Sequence, residues 1–172
     1  MEKIIIHNSD LHVSRLCFGG CPMGGHGWGA VSKKDLIDAV HEAIESDINF
    51  FDTADVYGLG ESEKVLGEAL GEKREKVIIA SKFGVKVQNG KTTYDCSPEW
   101  IKYSLEGSLT RLHSSYIDLY QMHYYDGITP MEDIVEILEK LVKEGKIRYF
   151  GLSNISYKDI AKFMEYKSSF VS

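Results

Sequence analysis

Side chains able to take part in catalysis follow successive hydrophobic segments of the sequence, at the point where each segment ends. Asp52 closes one such segment and Lys82 follows the next, and then His123 and the pair Ser153-Asn154 follow two more. If the segments are parallel β-strands, their carboxyl ends share one face, so these side chains converge there. Each residue alone has an ordinary structural explanation, as a helix cap, a solvated charge or a core histidine. Their shared position predicts a catalytic site.

Tyr57 lies in the loop that follows Asp52 and brings a phenol to the same face. A free tyrosine has a pKa of about 10, and a nearby ammonium group favours the phenolate, so we expect Lys82 to lower the pKa of Tyr57. We expect Asp52 to hold Lys82 in place, and His123 to orient a carbonyl group by hydrogen bonding. These side chains predict general acid chemistry. The alternative for Tyr57 is an aromatic side chain packed on the rim.

A glycine-rich run, residues 19–29, follows the first predicted strand of the sheet. It contains neither the G-K-[ST] of a P-loop nor G-x-G-x-x-G, so the sequence does not support a Rossmann nucleotide site. Cys21, His26 and His41 are conceivable metal ligands, but neither their spacing nor a carboxylate cluster supports a metal site, and we predict none. The run is otherwise typical of a flexible loop at the rim.

An alternation of short strands and amphipathic helices positions these residues. We predict five buried parallel strands, at residues 15–18, 49–52, 77–81, 117–122 and 147–152. An N-terminal β-hairpin is expected from residues 4–6 and 11–13. Helices are expected to begin near Ser32, Glu61, Ser97, Thr129 and Ser156. The alternation predicts right-handed crossovers, and both an open doubly wound sheet and a barrel satisfy it.

The composition is that of a globular protein, and we expect one domain over residues 1–172. Hydrophobic residues make up 43% and charged residues 27%, and the net charge of -6 disfavours nucleic acid and anionic membranes as partners. No apolar stretch approaches the roughly 20 residues that cross a bilayer. The N-terminal sequence lacks a secretory signal, and Cys17, Cys21 and Cys96 form no C-x-x-C pair. We therefore expect a cytoplasmic protein without disulfides or a zinc site.

Four segments, in this order along the chain, resemble motifs of the aldo-keto reductase family. FDTADVYG at 51–58, continued by GESE at 60–63, resembles the family signature, and ASKFG at 80–84 resembles its lysine segment. DLYQMH at 118–123 is similar to the histidine segment, and GLSN at 151–154 to the segment that contacts nicotinamide. The match runs essentially from end to end. The resemblance implies an α/β fold, a parallel (β/α)8 TIM barrel that binds NADPH, or NADH, and reduces aldehydes or ketones.

The resemblance also implies a role for each matched residue. Tyr57 would be the general acid, Asp52 and Lys82 the pair that tunes it, and His123 the group that orients the substrate; we call these four residues the tetrad. Trp28 would line the substrate pocket together with His123. The cofactor-binding residues would be Gly20, Cys21, Asp52, Ser153 and Asn154.

The length departs from the family pattern. A complete barrel needs about 250 residues, whereas five strand-helix units account for the 172 residues of this chain. We therefore expect a truncated barrel without the last three units, and without the family's contacts to the stacked nicotinamide and the adenosine 2′-phosphate. The first and fifth strands would be unpaired edges, which predicts self-association. Whether such a chain is active stays open at this point.

Two other classes of function also stay open. One is a non-catalytic module that binds a cofactor or a partner, resembling the family's potassium-channel β-subunits; the intact tetrad argues against it. The other is a lyase in which Lys82 forms a Schiff base, for which a lysine without a paired carboxylate is expected. Asp52 argues against that reading. A Tyr57→Phe substitution separates these classes, because only a reductase would lose reduction and keep cofactor binding.

Overall fold

The computed structural model describes residues 1–25, 28–29 and 31–166. The strands are β1 (Lys3–Ile5), β2 (His12–Ser14), β3 (Cys17–Gly19), β4 (Phe50–Asp52), β5 (Ile78–Phe83), β6 (Val85–Gln88), β7 (Lys91–Tyr94), β8 (Ile117–Met122) and β9 (Ile147–Leu152). The α-helices are α1 (Lys33–Glu45), α2 (Glu61–Leu70), α3 (Pro98–Arg111), α4 (Met131–Lys143) and α5 (Tyr157–Glu165).

One parallel sheet contains the strands in the order β3, β4, β5, β8 and β9. Each strand is followed by a helix before the chain returns to the sheet, which confirms the predicted alternation. The strands β1 and β2 form the expected antiparallel hairpin, with Ile4 opposite Val13. Among the described residues β3 and β9 are the outer strands of the sheet, and self-association through them stays a prediction.

The two faces of the sheet are covered differently, and this decides between a barrel and an open doubly wound sheet. The main hydrophobic cluster joins sheet residues such as Phe51 and Tyr120 to residues of all five described helices. Successive side chains of a strand point to opposite faces. On the second face, Leu11 and Val13 of the N-terminal hairpin pack against Ala80 and Leu119. The helices therefore lie outside and the hairpin closes one end, so the fold is a partial α/β barrel.

Serine side chains start three of the helices as the sequence predicts. Ser32 accepts a hydrogen bond from the Asp35 backbone nitrogen at 3.1 Å, and Ser97 and Ser156 cap α3 and α5 in the same way. The helix α4 begins near Thr129 as predicted, but the Thr129 side chain does not cap it. Its hydroxyl donates to Asp126 at 2.6 Å, and Pro130 occupies the cap position. Asp126 lies in the loop before α4 and accepts the hydrogen bond from the Thr129 hydroxyl. The hydroxyl is therefore not available to cap the helix.

Two differences from the predicted strands bear on the site. The strand β5 continues to Phe83, so Lys82 lies within the strand and not after it. A second antiparallel hairpin, β6 and β7, follows immediately and was not predicted. Its turn is Asn89-Gly90, with φ of 50° and 73°. Both central residues of a type I′ turn need positive φ, and Asn-Gly is the usual pair, so the sequence does contain the signal for this hairpin.

No helix within the described part of the chain is long and apolar enough to cross a membrane.

Candidate active site

The ammonium group of Lys82 is the centre of the candidate site. Asp52 pairs with Ala80 across β4 and β5, so Lys82, two residues further along β5, points to the same face. Its Nζ donates to Asp52 Oδ1 at 2.8 Å and Oδ2 at 2.7 Å, and to the Thr53 carbonyl at 2.8 Å. The strand register therefore holds a buried cation against a carboxylate and a carbonyl oxygen.

The phenol of Tyr57 lies beside this ammonium group. A turn closed by the Tyr57 nitrogen on the Ala54 carbonyl, at 3.2 Å, brings the side chain back over the strand ends. The Lys82 Nζ is 3.4 Å from the Tyr57 hydroxyl and 5.0 Å from the ring centre. Burial nevertheless raises the pKa of Tyr57, and the opposing effect of Lys82 is smaller. The expectation of a lowered pKa is therefore wrong in this structure, because desolvation of the phenolate outweighs the attraction of a cation that Asp52 already neutralises.

His123 follows β8 and reaches the same site. Its backbone nitrogen donates to the Phe83 carbonyl at 2.8 Å, and its ring meets the Tyr57 ring edge-on with centres 5.7 Å apart. Burial, with the nearby charge of Lys82, lowers the pKa of His123 to about 4. The imidazole is therefore neutral at physiological pH. Its Nδ1 is buried and has no hydrogen-bond partner among the described residues, so a proton on Nε2 leaves only an unpaired acceptor inside.

The residues after β9 contact the His123 segment directly. The Ser153 nitrogen donates to the Met122 carbonyl at 2.8 Å. Asn154 Nδ2 donates to the His123 carbonyl and to Ser153 Oγ, both at 3.0 Å. Because both amide protons are used within the protein, the Asn154 Oδ1 is the atom left to accept a hydrogen bond from a ligand.

Gly20 packs against the other side of the site. Its nitrogen donates to the Asp52 carbonyl at 2.7 Å, and its carbonyl accepts from Ser62 Oγ at 2.8 Å. A Cβ atom at this position would lie 2.8 Å from Ser62 Oγ and 2.9 Å from the Asp52 carbonyl oxygen. The close approach of these backbones therefore requires glycine.

The remaining predicted residues lie outside the tetrad, and of these Cys21 lies close enough to Tyr57 to act on the pKa of its phenol. Cys21 is exposed at the start of a short 3₁₀ turn, Cys21–Gly24. Trp28 is 59% exposed, so the described residues do not enclose it in a pocket. His26 lies outside the described residues, and His41 Nε2 is 2.8 Å from the Ala69 carbonyl, between α1 and α2. Within the described residues no group of three or more potential ligands is placed to hold a metal ion.

Two residues that support the site, Thr53 and Ser62, were not predicted from the sequence. Thr53 supplies the carbonyl that accepts from Lys82, and its Oγ1 is 2.8 Å from Ser62 Oγ, which in turn holds Gly20. Both lie inside the motif that carries Asp52 and Tyr57. The sequence offers no separate signal for them, because a backbone acceptor carries no residue preference and serine or threonine after a strand is usually a cap.

Comparison with known proteins shows the family to which the chain belongs. Residues 15–171 match the model of the aldo/keto reductase family. The chain belongs to the aldo-keto reductase family. It is 36% identical over 165 residues to the aldo-keto reductase YhdN of Bacillus subtilis, a match that covers 95% of this chain and 50% of YhdN.

Solved aldo-keto reductases have the same fold. The holo form of AKR11C1 from Bacillus halodurans superimposes with a TM-score of 0.89 at 35% identity, over 98% of this chain and 55% of that one. The glycerol dehydrogenase AKR11B4 from Gluconobacter oxydans gives a TM-score of 0.86 at 38% identity, over 96% of this chain and 52% of that one. This aldo-keto reductase chain therefore spans about half the length of the relatives it matches.

Proposed function

We propose that this chain carries the catalytic residues for the reduction of an aldehyde or ketone to an alcohol with NADPH or NADH. The observation that supports the proposal is the row of contacts from Asp52 through the Lys82 Nζ to the Tyr57 hydroxyl, with distances of 2.7 Å and 3.4 Å. It places a neutral acid next to a fixed cation. Family membership supports an oxidoreductase, and the residue roles are our proposal.

Tyr57 acts as the general acid in this proposal. Since burial raises the pKa of Tyr57, the phenol is protonated at neutral pH and has a proton to donate. The proton moves from the Tyr57 hydroxyl to the carbonyl oxygen of the substrate, which becomes the alcohol oxygen, and a phenolate is left behind. Lys82 stabilises that phenolate because its ammonium group is already positioned, so little reorganisation is needed as charge develops.

His123 orients the substrate. A neutral imidazole with its proton on Nε2 donates one hydrogen bond to the carbonyl oxygen without competing with Tyr57 as an acid. The low pKa of His123, about 4, keeps the ring in that neutral form across the physiological range.

The residues that would hold the nicotinamide are Ser153 and Asn154. An Oδ1 acceptor beside the Ser153 hydroxyl suits the amide group of nicotinamide. A bound nicotinamide coenzyme supplies the hydride that the carbonyl carbon receives. The identity of the coenzyme and of the substrate is part of the proposal.

The lyase alternative has little support in the geometry. A Schiff base needs a lysine with a free electron pair. The Lys82 Nζ instead makes four polar contacts, to both Asp52 oxygens, to the Thr53 carbonyl and to Tyr57. That arrangement suits an ammonium group whose hydrogens are all engaged. The module that binds a cofactor or partner without catalysis, and the cytoplasmic location, stay predictions.

NADPH oxidation by the purified 172-residue chain tests the proposal, with an aldehyde and ketone panel that includes glyceraldehyde because one relative is named a glycerol dehydrogenase. We expect turnover, and a loss of about 10²-fold to 10⁴-fold in Tyr57→Phe, the range typical of a general acid. Coenzyme binding, followed by fluorescence, is expected to be equal in the two proteins.

Tyr103→Phe is the matched control, since Tyr103 is an exposed tyrosine on α3. It should leave turnover unchanged. Equal rates in wild type and Tyr57→Phe would overturn the role of Tyr57. Coenzyme binding without turnover on any substrate would favour the non-catalytic module, and a Lys82 adduct trapped by borohydride would favour the lyase.

A further inference from the structure

A buried polar cluster lies on the outer side of the sheet, behind the tetrad. Glu63 of α2 is fully buried and accepts hydrogen bonds from Ser81 Oγ at 2.5 Å and from Arg111 Nε at 2.7 Å. Ser81 directly precedes Lys82 on β5, so its side chain points away from the site while that of Lys82 points into it. The cluster therefore fixes the strand that carries Lys82.

Asp55 adds a second carboxyl group to this cluster. Its Oδ1 is buried and has no hydrogen-bond partner among the described residues. The titratable or charged groups around it come from three elements: Glu63 of α2, Glu106 and Arg111 of α3, and Tyr120 of β8. Near Asp55, the β6–β7 hairpin contributes the apolar residues Val85 and Val87.

The hydrogen bonds assign the charges within the cluster. One guanidinium group, that of Arg111, faces the fully buried carboxyl group of Glu63 and the partly buried one of Asp55, and it is bonded to Glu63. A buried carboxylate is stable only when it is paired and hydrogen-bonded. Glu63 meets that condition and is the ionised partner. The Oδ1 of Asp55 has no such partner, and burial outweighs the smaller effects of Ser104 and the Val56 backbone on its pKa, so Asp55 is the carboxyl that the cluster stabilises in its neutral form.

Asp55 is also part of the turn that presents Tyr57. The turn closes between the Ala54 carbonyl and the Tyr57 nitrogen, so Asp55 and Val56 are its two central residues. A change in the position of the Asp55 side chain therefore moves the backbone that carries the phenol. Lys82 is held independently by Asp52 and Thr53, so the distance from Tyr57 to Lys82 is the quantity that changes.

We propose that Asp55 is a positioning residue for Tyr57: its neutral carboxyl seats the Ala54–Tyr57 turn on the Glu63–Arg111 pair, and its ionisation releases the turn. The inference rests on the role proposed for Tyr57 above, but it concerns the placement of the phenol and its test needs no turnover.

Water has a route to Asp55 that avoids the tetrad. Asp55, together with Trp100 and Ser104, lines a cleft of about 460 Å³ between the β6–β7 hairpin and α3. An ionised Asp55 gains hydration by moving towards this cleft, which draws the turn away from the sheet. Burial first, and the charge of Glu63 second, raise the pKa of Asp55 to about 7. The change of state therefore falls within the physiological pH range.

The test is an NMR titration of the full 172-residue chain labelled with ¹³C at the tyrosine Cζ, from pH 5.5 to 8.5. Tyr57→Phe and Tyr120→Phe assign two signals. Tyr120 feels the charge of Asp55 directly and reports its ionisation, whereas Tyr57 reports the position of the turn. We expect both signals to shift with one inflection near pH 7. His123, with a pKa of about 4, does not titrate in this window.

Asp55→Asn mimics the neutral carboxyl and should abolish both inflections. Asp133→Asn, an exposed aspartate on α4, is the matched control and should leave them unchanged. Glu63→Gln removes a charge that raises the pKa of Asp55, so it should move both inflections to lower pH, which keeps the test open if Asp55→Asn folds poorly. A Tyr120 inflection without one at Tyr57 overturns the positioning role. If neither the Tyr57 signal nor the Tyr120 signal changes with pH, the ionisation of Asp55 is overturned.

Discussion

Two buried ion pairs lie at opposite ends of the same sheet and are completed to different degrees. At the amino end, Asp118 is 1% exposed and pairs with Arg74 at 2.9 Å and Arg148 at 2.7 Å. At the carboxyl end, Asp52 is 31% exposed and pairs with Lys82 at 2.7 Å. The Asp118–Arg148 and Asp52–Lys82 pairs each join neighbouring parallel strands, so sequence spacing alone does not tell them apart.

The amino-end pair has a complete set of hydrogen bonds. Asp118 also accepts from the Ile79 nitrogen at 3.0 Å. Arg74 donates to Ser114 Oγ at 2.9 Å, to the Val77 carbonyl at 3.2 Å and to the Tyr116 carbonyl at 2.9 Å. Such a network has no group left for a ligand, and its contribution is to stability.

The carboxyl-end pair is surrounded by groups with free hydrogen-bonding capacity. The Tyr57 hydroxyl reaches Lys82 only at 3.4 Å, and the buried Nδ1 of His123 has no partner among the described residues. In a barrel enzyme the carboxyl ends of the strands carry the chemistry and the amino ends carry stability. The two ion pairs therefore differ both in burial and in hydrogen-bond saturation, and the unsatisfied groups around the carboxyl-end pair mark it as the candidate catalytic one.

Asp118→Ala should cause the largest loss of stability. It leaves Arg74 buried without its carboxylate, and breaking a buried pair in this way costs about 3–5 kcal/mol. Urea unfolding measures the change. Asp10→Ala is the control, because Asp10 also pairs with Arg148 but is 70% exposed, and it should cost at most about 1 kcal/mol. Equal losses for the two variants would contradict the structural role of the amino-end pair.

Gly20→Ala should have the next largest effect. The added Cβ meets Ser62 and the Asp52 backbone at less than 3 Å, and overpacking of this kind costs about 1–3 kcal/mol. Gly19→Ala is the matched control, since a Cβ there meets nothing within 4 Å among the described residues. The measurement is the free energy of unfolding of both variants. A Gly20→Ala protein as stable as Gly19→Ala would show that the carboxyl end is looser than its backbone contacts indicate.

Lys82→Met should cost only about 1–2 kcal/mol in stability, less than Asp118→Ala. The physical reason is that Asp52, once unpaired, is 31% exposed and regains water, whereas an unpaired Arg74 does not. Urea unfolding of the two variants side by side makes the comparison directly. A Lys82→Met loss that matches the Asp118→Ala loss would mean that both ion pairs are structural.

His123→Gln should change stability least at neutral pH, and its effect should depend on pH only below about pH 6.5. The pKa of His123 is about 4 in the folded chain and 6.5 as the ordinary value, so between these values the unfolded state binds more protons. Stability from this group is complete above pH 6.5 and is lost as the pH falls towards 4. In unfolding experiments wild type should therefore lose stability relative to His123→Gln as the pH falls over that range. His7→Gln, at an exposed position, should show no such trend.

Local signals made most of the elements predictable. The caps Ser32, Ser97 and Ser156 confirm their helices because a capping hydrogen bond depends on residues three positions apart. The hairpin β6–β7 was missed although Asn89-Gly90 marks it. Thr129 failed as a cap since Asp126, a neighbour in the loop, binds its hydroxyl. Local patterns therefore predict well where only one local partner is available.

The strand-helix alternation, the convergence of the tetrad on one face of the sheet and the family could be predicted from the amino-acid sequence. These follow from periodicity and motif spacing, which are properties of the chain read in order. Three features could be seen only in the folded structure. The helices cover one face of the sheet, burial raises the pKa of Tyr57, and Arg111 donates a hydrogen bond to Glu63 behind the site. The physical reason is that desolvation and ion pairing depend on distances between residues far apart in sequence, and those distances exist only once the chain has folded.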